Sequence, residues 1–421
     1  MNTFPPFDMV SATPATSKPE LDSQHVKSAE LPVFTPLPYT IAQIRAAIPS
    51  EYFDLSTSRA LTTLARDIFM ATFFFVLALY IPSIQLSYTF QVYTPLLRAA
   101  AWVGYWWFQG LTLTGIWVLG HECGHGAFSP YTWLNDSLGF ILHTFLWTPY
   151  FSWKIGHHRH HMTHASMERD EVYVPKTRAI LGIPSKEFEE EHGIDWEDYF
   201  GDTPIWTLMM LIRQQVLAFP AYLMFNVSGQ PNYPPNTNHF SPSSILFTPA
   251  QRNAVILSNI GIGTMIVLVT AAVRQWGWWN VMALYGIPWF EVSHWFVMIT
   301  YLHHTDPTLP HYRAPKWTFA RGAAATVDRP FLGWMGRWFL HDVAHYHVIH
   351  HFFPKMPFYH APAATQHLKA FLGPHYRWSD EPVFQALWKS YNECQFVEDE
   401  GDVLFYRGKD GCAAVRAEHE I

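Results

Sequence analysis

The 421-residue chain has few cysteines and little basic charge. Its three cysteines, Cys123, Cys394 and Cys412, are too few and too scattered for a disulfide framework, so a reducing compartment is expected. Against 34 Asp and Glu stand only 27 Lys and Arg, a net charge of −7. Nucleic acid is therefore not an expected partner, because its phosphates require a basic face. The opening residues MNTFPPFDMV lack a basic segment followed by an apolar core, so no cleavable secretory signal is predicted.

Charged residues are missing from three long stretches of the chain. Thirty uncharged residues lie between Asp67 and Arg98, and 22 lie between Arg98 and His121. Another 21 lie between Arg252 and Arg274. Stretches of this length can cross a bilayer, so a water-soluble enzyme is not expected. The predicted transmembrane helices form two hairpins and comprise residues 68–86, 99–120, 254–273 and 279–302.

Two further apolar segments are predicted to lie along the membrane surface. Residues 137–151 are too short to span, and residues 204–225 carry Arg213 at their centre. A charge there costs roughly 2.5–3.5 kcal/mol on insertion scales. Four spans place both termini and the long loop between the hairpins on one side. The positive-inside rule identifies that side as the cytosol.

The expected fold class is an all-α integral membrane protein with four transmembrane helices and a cytosolic helical cap. Residues 1–38 are rich in Pro, Ser and Thr and lack hydrophobic periodicity, so they are predicted to form a disordered cytosolic tail. Residues 39–408 are predicted to form a single domain. Residues 409–421 are predicted to be a flexible cytosolic C-terminus.

The most informative residues are the 24 histidines, because many of them recur at helical spacing. The motifs HECGH (121–125), HHRHH (157–161) and HVIHH (347–351) each place imidazoles on one helix face. A further histidine, His304, ends the fourth predicted span. Replacing its neighbour His303 should cost far less activity, because on a helix that side chain points about 100° away. Nine imidazoles at cytosolic helix ends are about right for two metal ions. The candidate ligands are His121, His125, His157, His160, His161, His304, His347, His350 and His351.

Imidazole binds Fe, Zn, Cu and Ni, so the ligand type alone does not choose the metal. HECGH also fits H-E-x-x-H, in which Glu122 would be the general base of an intramembrane zinc protease. A zinc hydrolase would use three of the nine histidines and leave the others idle. A histidine-rich metal transporter is a third reading, although its ligands should lie midway through the spans. A two-metal redox centre beside lipid favours oxygen chemistry on a membrane-soluble hydrocarbon.

The order HxxxH, HxxHH, HxxHH, framed by two hairpins, resembles that of the membrane-bound fatty-acyl desaturases. A narrower resemblance, to fungal oleate (delta-12) desaturases, extends from about Tyr39 to Tyr406. It is carried by HECGHGAFS, DEVYVPKTR, PAYLMFNVSGQ, ITYLHHTDPTLPHYR, RGAAATVDR, FPKMPFYHA and ECQFVEDEGDVLFY.

This resemblance implies that the nine histidines bind two iron ions at the cytosolic face of the endoplasmic reticulum membrane. It implies an O₂-dependent reaction that gives an oleoyl chain, carried by lipid or coenzyme A, its delta-12 double bond. Electrons would come from cytochrome b5 and its NADH-dependent reductase, as separate proteins, because the chain has no haem-binding HPGG. Within the family, a bifunctional delta-12/delta-15 desaturase and a delta-12 acetylenase are the alternatives.

Other polar residues receive structural or supporting roles. His341 and His345, shortly before the third motif, are predicted to orient metal ligands. His143 and His239 are expected to be structural. Glu291, inside the fourth predicted span, is expected to be protonated and hydrogen-bonded rather than a ligand.

Overall fold

The computed structural model describes residues 31–201 and 203–417, and these residues are predominantly helical. Within them lie two small sheets: β1 (Val33–Phe34) pairs in parallel with β4 (Arg416–Ala417), and β2 (His311–Tyr312) pairs antiparallel with β3 (Val403–Leu404). The predicted helical class is confirmed. The helices are α1 Ile41–Ala46, α2 Thr57–Leu79, α3 Thr94–His125, α4 Thr132–Phe145, α5 Tyr150–Thr163, α6 Lys186–His192, α7 Trp196–Phe200, α8 Pro204–Phe225, α9 Arg252–Trp276, α10 Trp278–Val281, α11 Ile287–His304, α12 Phe319–Ala323, α13 Trp334–Phe339, α14 His347–Phe352, α15 Ala361–Leu372 and α16 Val383–Glu393.

Helices α2 and α3 form the first expected hairpin, and α11 packs against α3. Helix α9 packs against α4 and α5, and α10 leads from it towards α11. The helix of the first predicted span begins at Thr57, eleven residues before residue 68, because Ser56 caps it by accepting a hydrogen bond from the backbone N–H of Arg59. In the second hairpin, a π-helical turn at Met282–Gly286 connects α10 to α11. Side chains of α3 satisfy carbonyls that this turn frees: Tyr105 donates to Leu284 and Trp106 to Ala283.

By length and hydropathy alone, three helical segments of the described residues are long and apolar enough to cross a membrane: Thr57–Ser83, Trp196–Phe225 and Pro249–Trp276. The first and third overlap the predicted spans 68–86 and 254–273. The other two predicted spans lie in α3 and in α10–α11, where Trp, Tyr and Gly or His lower the mean hydropathy.

Residues 137–151, predicted to lie along the membrane surface, do not form one continuous helix. The segment contains the end of α4, a break, and the start of α5. The break occurs because Trp147 has a left-handed backbone (φ 60°) and Pro149 follows it. A separate helix, α5, therefore carries the HHRHH motif.

The second predicted interfacial segment is one helix, α8. Near its start, Thr207 accepts a hydrogen bond from Lys409, 2.8 Å away. Near its end, the carbonyl of Leu223 accepts a hydrogen bond from the backbone N–H of His239. Both ends of α8 therefore contact non-helical segments.

The predicted limits of the two tails need correction. Residues 1–30 and 418–421 lie outside the described residues, and so does His419. Residues 31–38 and 409–417, however, are structured, because β1 and β4 pair with each other and Phe34 and Ala417 share one small apolar cluster. Terminal strands are held in this way when a partner strand and a core are available.

Candidate metal centre

A first group of five histidines comes from three helices. His121 and His125 end α3, His157 and His161 lie on α5, and His350 lies on α14. The Nε2 atoms of successive rings are 3.1 Å apart, from His121 to His125, from His125 to His157 and from His157 to His161. Lone pairs brought this close repel one another unless a proton or a metal ion lies among them.

A second group adjoins the first. It contains His160, His304, His347 and His351, with the Nε2 atoms of His304 and His347 3.3 Å apart. It also contains His164, whose ring centre lies 4.5 Å from that of His304 and 4.7 Å from that of His351.

The structure thus brings all nine sequence-predicted histidines together and adds a tenth. His164 follows His160 by four residues, as His161 follows His157, and this helical spacing is the signal that could have found it. His158, the remaining histidine of HHRHH, is exposed and belongs to neither group.

Burial keeps eight rings of the centre neutral. It lowers the pKa of His121 and of His350 to about 3. Burial and neighbouring imidazoles hold the pKa of six further rings well below the usual range: those of His125, His157, His161, His304, His347 and His351. A neutral imidazole has a lone pair to donate, which is the form that binds metal.

Several ring nitrogens in the centre are buried without a hydrogen-bond partner. They include Nε2 of His350 and both nitrogens of His351. Unpaired buried polar atoms are costly, so they indicate a missing partner. The all-imidazole donor set suits a transition metal and not Mg²⁺ or Ca²⁺. The residues therefore fit two metal ions.

Two buried carboxylates orient ring nitrogens of the centre. Glu122 accepts a hydrogen bond from Nδ1 of His121 at 3.1 Å. Asp170 accepts one from Nδ1 of His160 at 3.0 Å, and its other oxygen lies 3.4 Å from Nδ1 of His164. Burial alone would raise the pKa of Asp170, but the charge and hydrogen bond of His160 hold it well below its usual range. Such carboxylates fix which nitrogen faces the metal.

Asp170 was not recognised in the sequence, although it begins the DEVYVPKTR segment. Nothing in the spacing links it to the histidines of α5, because a loop turns the chain back between them. Backbone N–H groups of Ala165 and Val172 bond the Asp170 carboxylate within that loop.

A second anchor joins the end of α11 to the start of α14. Arg329 is buried, donates to the carbonyl of Leu302 at 3.0 Å, and pairs with Asp306 at 2.8 Å. Its neighbour Asp328 accepts the backbone N–H of Val348 at 2.7 Å. A cation at a helix C-terminus and a carboxylate at a helix N-terminus both suit the helix dipole. Residues 327–329, called the VDR segment below, therefore hold His304 next to the histidines of α14.

The predicted supporting histidines have their described polar contacts outside the centre. His341 has a left-handed backbone (φ 53°), and its Nε2 lies 2.7 Å from the carboxylate of Asp67 in α2. The nearest carboxylate to His345, at 3.7 Å, is that of Asp342. Among the described hydrogen bonds, neither ring contacts a histidine of the centre, and their role in orienting ligands stays a prediction. The positive φ of His341 turns its side chain towards α2.

His303, whose replacement is predicted to cost less activity than that of His304, lies between two backbone carbonyls. Its ring is buried, with Nδ1 2.6 Å from the carbonyl oxygen of Ile299 and Nε2 2.8 Å from that of Ala344. It joins neither metal-binding group, but it connects α11 to the segment before α14. His143 is structural as expected, bonding the carbonyl of Trp117.

A cavity of about 630 Å³ reaches both groups of histidines. His121 and His157 of the first group and His160, His304 and His347 of the second line it. Most of its remaining wall is apolar or aromatic and comes from α3, α8, α11 and residues 172–176. Among the described residues that line it, the charged ones are two cations, Lys176 and Arg213, and none is a carboxylate.

These features define a helical protein with two adjoining polyhistidine groups that open onto an apolar cavity. The family model for fatty acid desaturases matches residues 100–381. A delta(12) fatty acid desaturase from Mortierella alpina is 41% identical over 403 residues, covering 94% of this chain and 95% of that protein. An omega-6 endoplasmic reticulum fatty acid desaturase from Brassica juncea is 38% identical, covering 95% and 98%. An oleate hydroxylase from Claviceps purpurea is also 38% identical, covering 90% and 82%. The chain therefore belongs to the fatty acid desaturase family, a family of oxidoreductases.

Proposed function

We propose that this protein introduces the delta-12 double bond into an oleoyl chain to give a linoleoyl chain. The observation that carries the proposal is the apolar cavity whose wall includes histidines of both groups. An acyl chain in it would have methylene carbons beside both metal positions. The names of the delta(12) desaturases that the chain resembles supply the position of the bond.

The proposed metal is iron, two ions per chain, held by His121, His125, His157, His160, His161, His304, His347, His350 and His351. Bound iron supplies the O₂ activation needed to break an unactivated C–H bond, which side chains alone cannot do. Overall, two hydrogens leave adjacent carbons, and with two electrons and two protons they reduce O₂ to two waters. The proposed electron donors are cytochrome b5 and its NADH-dependent reductase, as the family resemblance implies.

The protein's own contribution is to position the chain and to exclude water. Trp117 and Phe296 lie in contact in the cavity wall, with ring centres 4.2 Å apart. Tyr173, beside His304, donates its hydroxyl hydrogen to Thr300 at 2.8 Å, so this hydrogen is not available to the substrate. Tight aromatic walls of this kind restrict the acyl chain to few conformations.

The two cations of the cavity suit a substrate with an anionic head group. Lys176 is partly buried, and burial lowers its pKa. Arg213 lies on α8, whose outward face exposes Leu208, Met209 and Ile212. An arginine on such a helix can extend to the level of the lipid phosphates. We therefore propose that the acyl chain enters beside α8 with a phosphate-bearing carrier, either phospholipid or coenzyme A.

The proposed topology has four spans, in the endoplasmic reticulum membrane, with the cap and both termini cytosolic. His121 and His304 end their helices on one side, while the exposed Trp276, Trp278 and Trp279 lie at the far turn of the second hairpin, as an interfacial belt requires. The contacts at both ends of α8 favour an interfacial helix over a fifth span. The name of the Brassica relative supports the compartment.

The alternatives within and outside the family are not favoured. Neither a bifunctional enzyme nor an acetylenase is suggested by the delta(12) desaturases at 41% identity. In a zinc protease, Glu122 would face a metal-bound water, but here it bonds Nδ1 of His121. Because one relative is an oleate hydroxylase, the experiment must distinguish an alkene product from an alcohol product.

The test is expression of the full chain in yeast that lacks delta-12 desaturase activity, followed by analysis of its lipids. Linoleoyl chains should accumulate, and the His304→Ala variant, expressed at an equal level, should yield none. Hydroxylated oleoyl chains instead of linoleoyl chains would contradict the proposed reaction, and unchanged lipids would contradict the proposed substrate. Oleoyl phospholipid and oleoyl-coenzyme A, supplied separately to isolated membranes, distinguish the two carriers.

A further inference from the structure

We propose that His164 is a tenth imidazole ligand, which binds the metal ion of the second group through its Nδ1 atom. The proposal rests on the two-metal centre of the proposed function. It goes beyond the nine histidines of the three motifs and His304, because it adds a ligand from outside all of them.

The hydrogen bonds of His164 determine which nitrogen is available. Its Nε2 lies 2.9 Å from the carbonyl oxygen of Ala325, and a carbonyl only accepts, so Nε2 carries the hydrogen. In the neutral ring, Nδ1 then has a free lone pair. This atom is buried and has no hydrogen-bond partner. The tautomer is therefore the one that can bind a metal through Nδ1.

The position of the ring is also that of a ligand. His160, His164 and His304 each have a ring nitrogen within 4.8 Å of the other two, a separation that one ion can bridge. The ring of His164 is 2% exposed, as enclosed as that of His160. No other described histidine outside the nine belongs to a metal-binding cluster.

The nearby carboxylate strengthens the argument. Oδ2 of Asp170 lies 3.4 Å from Nδ1 of His164. A lone pair and a carboxylate oxygen repel each other in a buried site, so a cation must lie near both. A metal ion satisfies this requirement and gives the second group five imidazoles, the number in the first. A proton on Nδ1, forming an ion pair with Asp170, is the competing arrangement.

The test uses the purified full chain, stripped of metal and titrated with Co²⁺, whose visible spectrum reports the ligands around each ion. The variant is His164→Gln, because the Gln amide can still donate to the carbonyl of Ala325 but offers no imidazole Nδ1. The expected result is two ions in both proteins, with one ion in the variant bound at least about tenfold more weakly and with a changed spectrum.

Two controls make the outcome decisive. His239→Ala removes a buried histidine outside both groups and should leave both affinities unchanged. The helix content of each variant is compared with that of the wild-type chain to show that the variant is folded. If His164→Gln does not fold, His164→Asn is used in its place. Unchanged affinity and spectrum in the folded variant would assign His164 to the ion pair with Asp170 and overturn the proposal. Failure of the wild-type chain to bind two ions would instead contradict the proposed two-metal centre.

Discussion

The two groups of histidines contain similar rings but are built differently. In the first group, two helices supply pairs at i, i+4, namely His121 with His125 and His157 with His161, and the described carboxylate contact is that of Glu122. The second group also contains pairs at i, i+4, namely His160 with His164 and His347 with His351, but His164 follows the end of α5, α14 is only 6 residues long, and His304 ends α11. Asp170 and the VDR segment, distant in sequence from most of these ligands, hold them in place.

This difference has a physical origin. An α-helix places residues four apart on one face without help from the rest of the chain. Ligands on separate elements must instead be oriented by hydrogen bonds, and each bond depends on tertiary structure. We therefore expect the first group to tolerate loss of its carboxylate better than the second.

The largest effect should follow replacement of the ligand that ends α11. His304→Ala should lower turnover by more than about a hundredfold, beyond the range for residues that only orient a ligand. It should also remove the second-group ion while the first-group ion stays bound. Metal analysis together with lipid analysis checks both expectations.

The neighbouring residue is the matched comparison. His303→Ala removes a ring that lies against two backbone carbonyls. The neutral ring donates to one of them, so the loss of that hydrogen bond should cost about 1–3 kcal/mol of stability. The protein that does fold should keep both metal ions. Loss of metal from folded His303→Ala, or full activity of His304→Ala, would reverse the roles assigned to the two residues.

The intermediate effect compares the two carboxylates directly. In the native protein, the two carboxylate oxygens of Asp170 contact His160, two backbone N–H groups and the region of His164. Asp170→Asn keeps only one acceptor oxygen. The metal affinity of the second group should therefore fall about 10–100-fold. Glu122→Gln affects the orientation of His121 alone and should weaken the first-group ion by less than about tenfold.

Metal titration of both variants, at equal helix content, measures the comparison. A larger loss in Glu122→Gln than in Asp170→Asn would show that local helical spacing is not what makes the first group robust. Proteolysis of a membrane substrate, lost only in Glu122→Gln, would revive the zinc protease.

The same contrast explains how much the sequence predicted. Helical spacing was sufficient to predict which histidines share helix faces, and hydropathy was sufficient to predict long apolar helices, because both depend on residues close together in the chain. Asp170, Asp328 and the contact of His303 with Ala344 depend on segments that meet only in the folded protein. The left-handed backbone of Trp147 was also not predicted, because this conformation is rare for a non-glycine residue.

The smallest expected effect tests the packing that sets the two groups side by side. Gly115 of α3 lies against the backbone of Phe339, just before the chain that leads to α14, and an added Cβ would overlap the Phe339 carbonyl oxygen. Backbone cannot rotate away as a side chain can, so Gly115→Ala should destabilise the protein by about 1–3 kcal/mol. Gly104, on the same helix, has open space around its Cβ position, and Gly104→Ala should instead stabilise the helix by about 1 kcal/mol or less.

Thermal unfolding in one detergent compares the two variants. Helix α3 carries His121 and His125, and α14 supplies histidines to both groups. A shift of α3 at Gly115 should therefore weaken the binding of both metal ions together. Equal stability of the two variants would mean that α3 and the Phe339 segment are not in the close contact that aligns the groups.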